Sequence, residues 1–141
     1  VNLPPEEGDR LQRQLAAQNI DLIYLLAPTT TDARAQQIAA KASGFIYYVS
    51  LKGITGASHL QTEEVASRLQ QLRQYTALPF CVGSGIKDAS TAQALAPHAD
   101  GVIVGSALVN TMAEGGEVSE VATRLQEQIT AIRLGIDAAD Q

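Results

Sequence analysis

Three short glycine-rich stretches carry most of the chemistry this sequence offers: Gly53-Ile54-Thr55-Gly56, Gly83-Ser84-Gly85 and Gly105-Ser106. Each follows an apolar run. Glycine lets a ligand come close to the main chain, and N–H groups exposed in such a turn can hold an anion. Gly105-Ser106 leads into Ala107-Leu108-Val109-Asn110, which reads as a short helix. A serine there adds a hydroxyl donor, and the helix end adds a partial positive charge. The chemistry that fits is phosphate binding. Any single glycine is explained as well by a tight turn, but three successive strand ends of this kind favour a cup built from three loops.

Other chemistries lack their residues. The Gly53–Gly56 stretch lacks the order G-x-x-x-x-G-K-[ST] of a nucleotide-binding P-loop. A nucleophile elbow around Ser84 would need glycine where Val82 stands. His59 and His98 lie in different segments with no cysteine or acid at ligand spacing, so they read as surface residues and no metal is expected. Tyr47 and Tyr48 are adjacent, so on a strand they point to opposite faces. One of them faces inward, either as core filler or as a substrate contact. Asp32, Asp88 and Asp100 read as cap or turn residues rather than as catalytic acids.

The elements that must position these stretches follow from the apolar pattern. Residues 21–27, 44–50, 78–84 and 100–106 are short apolar runs bounded by Gly, Pro or Asp, the mark of strands buried on both faces. Between them lie helical patterns. Residues 7–18 carry Leu11, Leu15 and Ala16. Residues 31–42 carry Ala33, Ala35, Ile38, Ala39 and Ala42. Residues 62–75 carry Val65, Leu69, Leu72 and Tyr75, and residues 88–97 carry Ala92 and Leu95. A last helix over about 117–134 carries Val118, Val121, Leu125, Ile129 and Ile132. Asp32 and Thr62 are the expected N-caps, with Glu63 and Glu64 in a first turn. Alternating strands and helices predict a parallel sheet, either doubly wound or part of a (β/α)8 barrel. In both, ligands bind at the C-terminal strand ends, where the glycine stretches fall.

Bulk properties narrow the class further. The chain has 141 residues, a net charge of −5 and 45% hydrophobic residues. No run of four Lys/Arg is present and aromatics are sparse, which argues against nucleic acid or an anionic membrane as partner. No apolar run approaches the ~20 residues of a membrane span. The single Cys81 excludes a disulfide framework and fits a reduced setting. The chain opens Val1-Asn2-Leu3-Pro4-Pro5-Glu6-Glu7, which reads as the end of a strand entering a helix, so further elements are expected upstream.

Five stretches in this order resemble the α subunit of tryptophan synthase: "NLPPEE", "DLIYLLAPTTTDAR", "GFIYYVSLKGITGA", "GSGIKD" and "ADGVIVGSALV". The resemblance runs from residue 1 to about 134. It implies a (β/α)8 TIM-barrel fold, of which residues 1–141 would be a single C-terminal portion, a partial barrel of about four to five parallel strands with covering helices. It also implies a lyase that cleaves indole-3-glycerol phosphate to indole and glyceraldehyde 3-phosphate, without a cofactor. The phosphate site carried over from the family is Gly56, Gly85, Gly105 and Ser106. Tyr47 maps to a substrate contact, Thr55 to a threonine of the closing loop and Leu25 to an indole-pocket position. The implied partner is the β subunit, in a heterotetramer, with contacts near Pro4, Thr29 and Asp32. The implied location is the cytoplasm, or the plastid stroma in a eukaryote.

Three departures qualify the resemblance. Asn2 stands where the family usually has an aspartate that communicates with the β subunit. Ser84 stands where an aromatic wall of the indole pocket is common. The two catalytic carboxylates belong to strands upstream of residue 1. The expectation is therefore phosphate-ligand binding with negligible lyase activity, from a sheet whose open edges favour association. The rival readings are a non-catalytic interaction module and another phosphate-binding barrel, such as an isomerase or aldolase.

Overall fold

Apolar runs too short to be helices alternate with helix-length amphipathic segments, and the chain folds accordingly. The computed structural model describes residues 4–50 and 59–139. In chain order these form α1 (Asp9–Ala16), β1 (Tyr24–Leu26), α2 (Asp32–Lys41), β2 (Ile46–Val49), α3 (His59–Leu72), β3 (Phe80–Gly83), α4 (Ala89–Leu95), β4 (Gly101–Ile103), α5 (Ser106–Ala113) and α6 (Val118–Ala139). The four strands are parallel and lie in the order β1-β2-β3-β4. A doubly wound sheet reverses its strand order at a switch point. No reversal occurs among the four described strands, so their order is the sequential β/α order of a (β/α)8 barrel. The stub at residues 1–3, a candidate fifth strand, lies outside the described residues.

Register sorts the strand residues into rows. Tyr24, Ile46 and Phe80 form one row, and Leu26, Tyr48, Val82 and Val102 another. From these two rows, every residue of β1, β2 and β3 is at most 4% exposed. They join Ala35 and Ile38 of α2, Val65, Leu69 and Leu72 of α3, Ala92 and Leu95 of α4 and Ile132 of α6 in one core. The alternate residues form the opposite face, with Leu25, Tyr47, Cys81 and Gly101 in one row and Val49, Gly83 and Ile103 in the next. One face is thus packed against helices, while most of the other face is half-buried. Burying a Leu, Ile or Phe side chain contributes about 1.5–3 kcal/mol each, so the helix-facing rows carry most of the stability.

Helix ends differ in detail from the sequence expectation. Thr31, in extended conformation, caps α2, its hydroxyl accepting from Arg34 N–H. Asp32 is instead the first helical residue, and its carboxylate accepts from Arg68 Nη1 at 2.7 Å. Helix α3 begins at His59, so Thr62 lies within its first turn rather than at the cap, and Glu63 and Glu64 follow that turn. The spacing of Val65, Leu69 and Leu72 defines a face, but it leaves the first helical residue open. Helix α1 buries none of its residues, and Leu11 is 40% exposed. Within the stripe on α6, Ile132 is buried but Val118 and Ile129 are exposed. No helix among the described residues is long and apolar enough to cross a membrane.

The turn that ends the Gly83–Gly85 stretch is pinned by Asp88. Its carboxylate accepts from Thr91 N–H at 2.9 Å, from the Thr91 hydroxyl at 2.7 Å and from the Ser90 hydroxyl at 2.9 Å. The Thr91 hydroxyl and N–H hold the Asp88 carboxyl below the ordinary carboxylate range. Replacing Asp88 by Ala is expected to cost about 1 kcal/mol in urea unfolding, the usual worth of an N-cap. A depressed folded-state pKa contributes stability that is present above the unfolded carboxylate range, near pH 4, and is lost as pH falls through the folded value. Asp88→Asn, which keeps an accepting oxygen, should therefore flatten the acid limb of the stability profile below about pH 4.

Candidate functional site

The half-buried face of the sheet opens into a cleft of about 670 Å³ at the strands' C-terminal ends. Leu25 and Tyr47 lie on its floor, in register on neighbouring strands. Val49 and Ile103 continue the floor one row further on. The rim is Ser84, Gly85 and Lys87 after β3, and Gly105 and Ser106 at the start of α5. Leu25, Tyr47, Gly85, Gly105 and Ser106 therefore share one cavity. Thr55 and Gly56 lie outside the described residues.

Alternation decides between the two tyrosines. Tyr48 belongs to the helix-facing row, is 1% exposed, and burial pushes its hydroxyl above the ordinary tyrosine range. Tyr47 faces the cleft. Its phenol end lies against Gly83, where an added Cβ would overlap the hydroxyl oxygen and Cζ. Glycine at 83 is thus what lets the tyrosine lie across the strand. Gly101 likewise leaves room for Cys81, since a Cβ there would sit 3.1 Å from the sulfur. Burial, aided by the charge of Asp100, pushes the Cys81 thiol up, which disfavours the thiolate a nucleophile needs.

The rim is main chain held in a special shape. Ser84 and Gly85 have φ of +75° and +84°. Two successive left-handed residues turn the chain sharply off β3, and Ile86, 4% exposed, anchors it again. At the other wall, Gly105 is the N-cap of α5 with no side-chain cap and open space beside its Cα. Leu108 and Val109 N–H donate back to Gly105 C=O at 3.0 and 3.1 Å. The N–H groups of the first helical residues, Ser106 and Ala107, have no helical acceptor preceding them and face the end where the helix dipole is positive. Thr111, one turn on, hydrogen-bonds Gln128 Oε1 at 2.8 Å and ties α5 to α6. Backbone donors, one hydroxyl and an apolar floor bearing a phenol can hold a phosphate at the rim and an apolar group below it.

No carboxylate is among the described residues lining the cleft. Asp32 pairs with Arg68, and Asp88 caps α4. Burial pushes the Asp100 carboxyl up, but Phe80 N–H and Arg73 outweigh it and hold it below the ordinary range. All three acids are structural, as the sequence suggests. The cleft also contains Val49, Ile103, Lys87 and Asn110, which the sequence reading did not single out. Period-two spacing from Tyr47 would have found Val49, and one helical turn from Ser106 leads to Asn110. A second cavity, of about 510 Å³, lies beside Pro4, Pro5, Tyr24 and Arg34, against β1. It contains none of the glycine-rich strand ends.

Comparison with known proteins gives a consistent picture. Residues 1–136 match the family model described as tryptophan synthase alpha chain. The chain is 46% identical over 141 residues to the tryptophan synthase alpha chain of Thiobacillus denitrificans, covering 100% of this chain and 51% of that protein. It is 48% identical over 138 residues to that of Ralstonia nicotianae, covering 98% and 52%. The crystal structure of the tryptophan synthase subunit alpha from Legionella pneumophila superposes with a TM-score of 0.82 at 36% identity, over 98% of this chain and 50% of that one. A tryptophan synthase structure from Mycobacterium tuberculosis gives 0.80 at 30% identity, over 95% and 49%. The chain spans about half the length of the curated relatives it matches. With the order of its strands, the cleft at their C-terminal ends and these matches together, the chain belongs to the tryptophan synthase alpha chain family.

Proposed function

We propose that this chain supplies the phosphate-binding part of a lyase that cleaves indole-3-glycerol phosphate to indole and glyceraldehyde 3-phosphate. The observation that carries the reading is the convergence of Gly85, Gly105 and Ser106 on one cleft whose floor holds Tyr47 and Leu25. In this reading the Gly85 turn and the first turn of α5 take the phosphate, with the Ser106 hydroxyl as a further donor. Tyr47 and Leu25 face the glycerol and indole portions, and Thr55 and Gly56, which lie outside the described residues, are proposed as further substrate contacts on the family resemblance alone.

The retro-aldol step needs a proton delivered to the indole ring carbon and another removed from the glycerol hydroxyl. A positioned acid or base contributes about 10²–10⁴-fold to such a step. None of the described carboxylates lines the cleft, and Asp32, Asp88 and Asp100 are held by other partners. We assign both proton transfers to the carboxylates that the family carries on its earlier strands, outside residues 1–141. Residues 1–141 then form a single C-terminal portion of the barrel, one that binds the substrate's phosphate end and does not turn it over.

Pro4, Thr29 and Asp32 are exposed and flank the edge strand β1. They are our candidates for contact with a β subunit, consistent with the likeness to the M. tuberculosis tryptophan synthase. Titration of the chain with indole-3-glycerol phosphate and with inorganic phosphate tests the site. Saturable binding of both is expected, with Ser106→Ala weakened about tenfold for the loss of one charge-assisted hydrogen bond. Unchanged binding in Ser106→Ala overturns the assignment, and lyase turnover by the chain alone overturns the division of labour.

A further inference from the structure

The cleft has a backbone and hydroxyl rim, yet a phosphate dianion brings two negative charges to a chain whose net charge is −5. Backbone donors supply only partial charge, so a full cation at the rim would matter for such a ligand. Among the described residues lining the cleft, one carries a formal charge: Lys87. The other cations among the described residues are engaged or distant, and Lys52 lies outside them. Arg34 pairs with Glu6, Lys41 with Asp9, Arg68 with Asp32, Arg73 with Asp100, Arg124 with Glu114 and Arg133 with Asp137. Arg10 and Arg13 lie on α1, which contributes no wall to the cleft.

Lys87 is also well placed by its neighbours. Its chain position is fixed on one side by buried Ile86 and on the other by Asp88, the cap of α4. The adjacent Asp88 carboxylate accepts from the Ser90 hydroxyl and twice from Thr91, all at Oδ1, and these contacts, with a smaller contribution from the Lys87 charge, hold it low. The lysine side chain is exposed, and its flexible four-carbon stem can swing an ammonium toward a ligand seated two residues away at Gly85.

We propose that Lys87 is a substrate-binding residue, the cation that neutralises the phosphate dianion at the Gly85–Ser106 rim. This rests on the phosphate reading of the cleft and adds to it a side chain that selects for charge rather than shape. The role is a point charge, so arginine should replace lysine and an uncharged isostere should not.

The test is calorimetric titration of the chain with inorganic phosphate, comparing the parent with Lys87→Met, Lys87→Arg and Arg13→Met. Lys87→Met should bind about tenfold more weakly, the worth of a charge-assisted contact. Lys87→Arg should stay within about twofold of the parent by the same scale. Salt should weaken the parent more than Lys87→Met, since screening acts on the ion pair. Arg13→Met removes the same formal charge away from the cleft and should bind as the parent. Equal weakening in Arg13→Met and Lys87→Met, or parent-like binding in Lys87→Met, overturns the role of Lys87 while leaving the cleft assignment standing. Absence of phosphate binding by the parent overturns both.

Discussion

Gly85→Val should abolish measurable phosphate binding, a loss of about 100-fold or more, while leaving the sheet assembled. Two effects act together. Gly85 has φ of +84°, a conformation that costs an L-residue roughly 1–2 kcal/mol and a β-branched one more. The substituted residue is therefore driven to re-route the turn that presents the rim. Its side chain also takes space where the ligand must meet the main chain, and a loss of about 100-fold corresponds to about 2.8 kcal/mol. Ser84 shows that this turn already tolerates an L-residue at φ of +75°, so Gly85→Ala serves as the milder control. It should fold, with binding intermediate between parent and Gly85→Val. Far-UV circular dichroism checks the fold and calorimetry checks the binding. A folded Gly85→Val that binds phosphate like the parent would refute the rim.

Gly135→Val should be the most destabilising of these substitutions, at about 3 kcal/mol or more in urea unfolding. Intrinsic propensity points the other way for the alanine change: in a helix interior, Gly→Ala normally stabilises by about 0.5–1 kcal/mol. Packing decides the sign. A Cβ at Gly135 would lie 2.5 Å from the Ala89 carbonyl oxygen and 3.1 Å from its carbonyl carbon and Cα. These are main-chain atoms of the first residue of α4, so no rotamer change relieves the clash. Helix α6 must then shift away from α4, exposing core around Ile132 and the partly buried Ile136. The shift would reach the cleft as well, because Thr111 and Gln128 couple α6 to α5. Even Gly135→Ala should therefore lose about 1–3 kcal/mol. A melting temperature for Gly135→Ala at or above that of the parent would contradict the close approach of α4 and α6.

The strand–helix alternation was legible because buried parallel strands and amphipathic helices have different periods. The runs at 21–27, 44–50, 78–84 and 100–106 each contain a strand, trimmed to three or four residues at ends where hydrogen-bonded pairing stops. The glycine-rich end of β3 was legible for a local reason, since the turn at Ser84 and Gly85 has positive φ and needs glycine or a tolerated substitute whatever surrounds it. Helix starts were less so. Thr31 rather than Asp32 caps α2, and α3 begins three residues before Thr62. Neighbouring Ser, Thr and Asp residues are near-equal caps, so tertiary contacts such as that between Asp32 and Arg68 help choose among them.

By itself, then, the sequence determined the element types, the parallel class of the sheet and the positions of the glycine-rich ends of β3 and β4. These depend on residue period and on backbone freedom, which are properties of short segments. Only the tertiary structure decided which tyrosine meets the cleft, that strand order is sequential and that Lys87 and Asn110 stand beside Gly85 and Ser106. It also showed that Gly83 gives way to the Tyr47 ring and Gly135 to the Ala89 carbonyl. Such facts arise between segments far apart in the chain, where register and close approach, rather than any local preference, set what touches what.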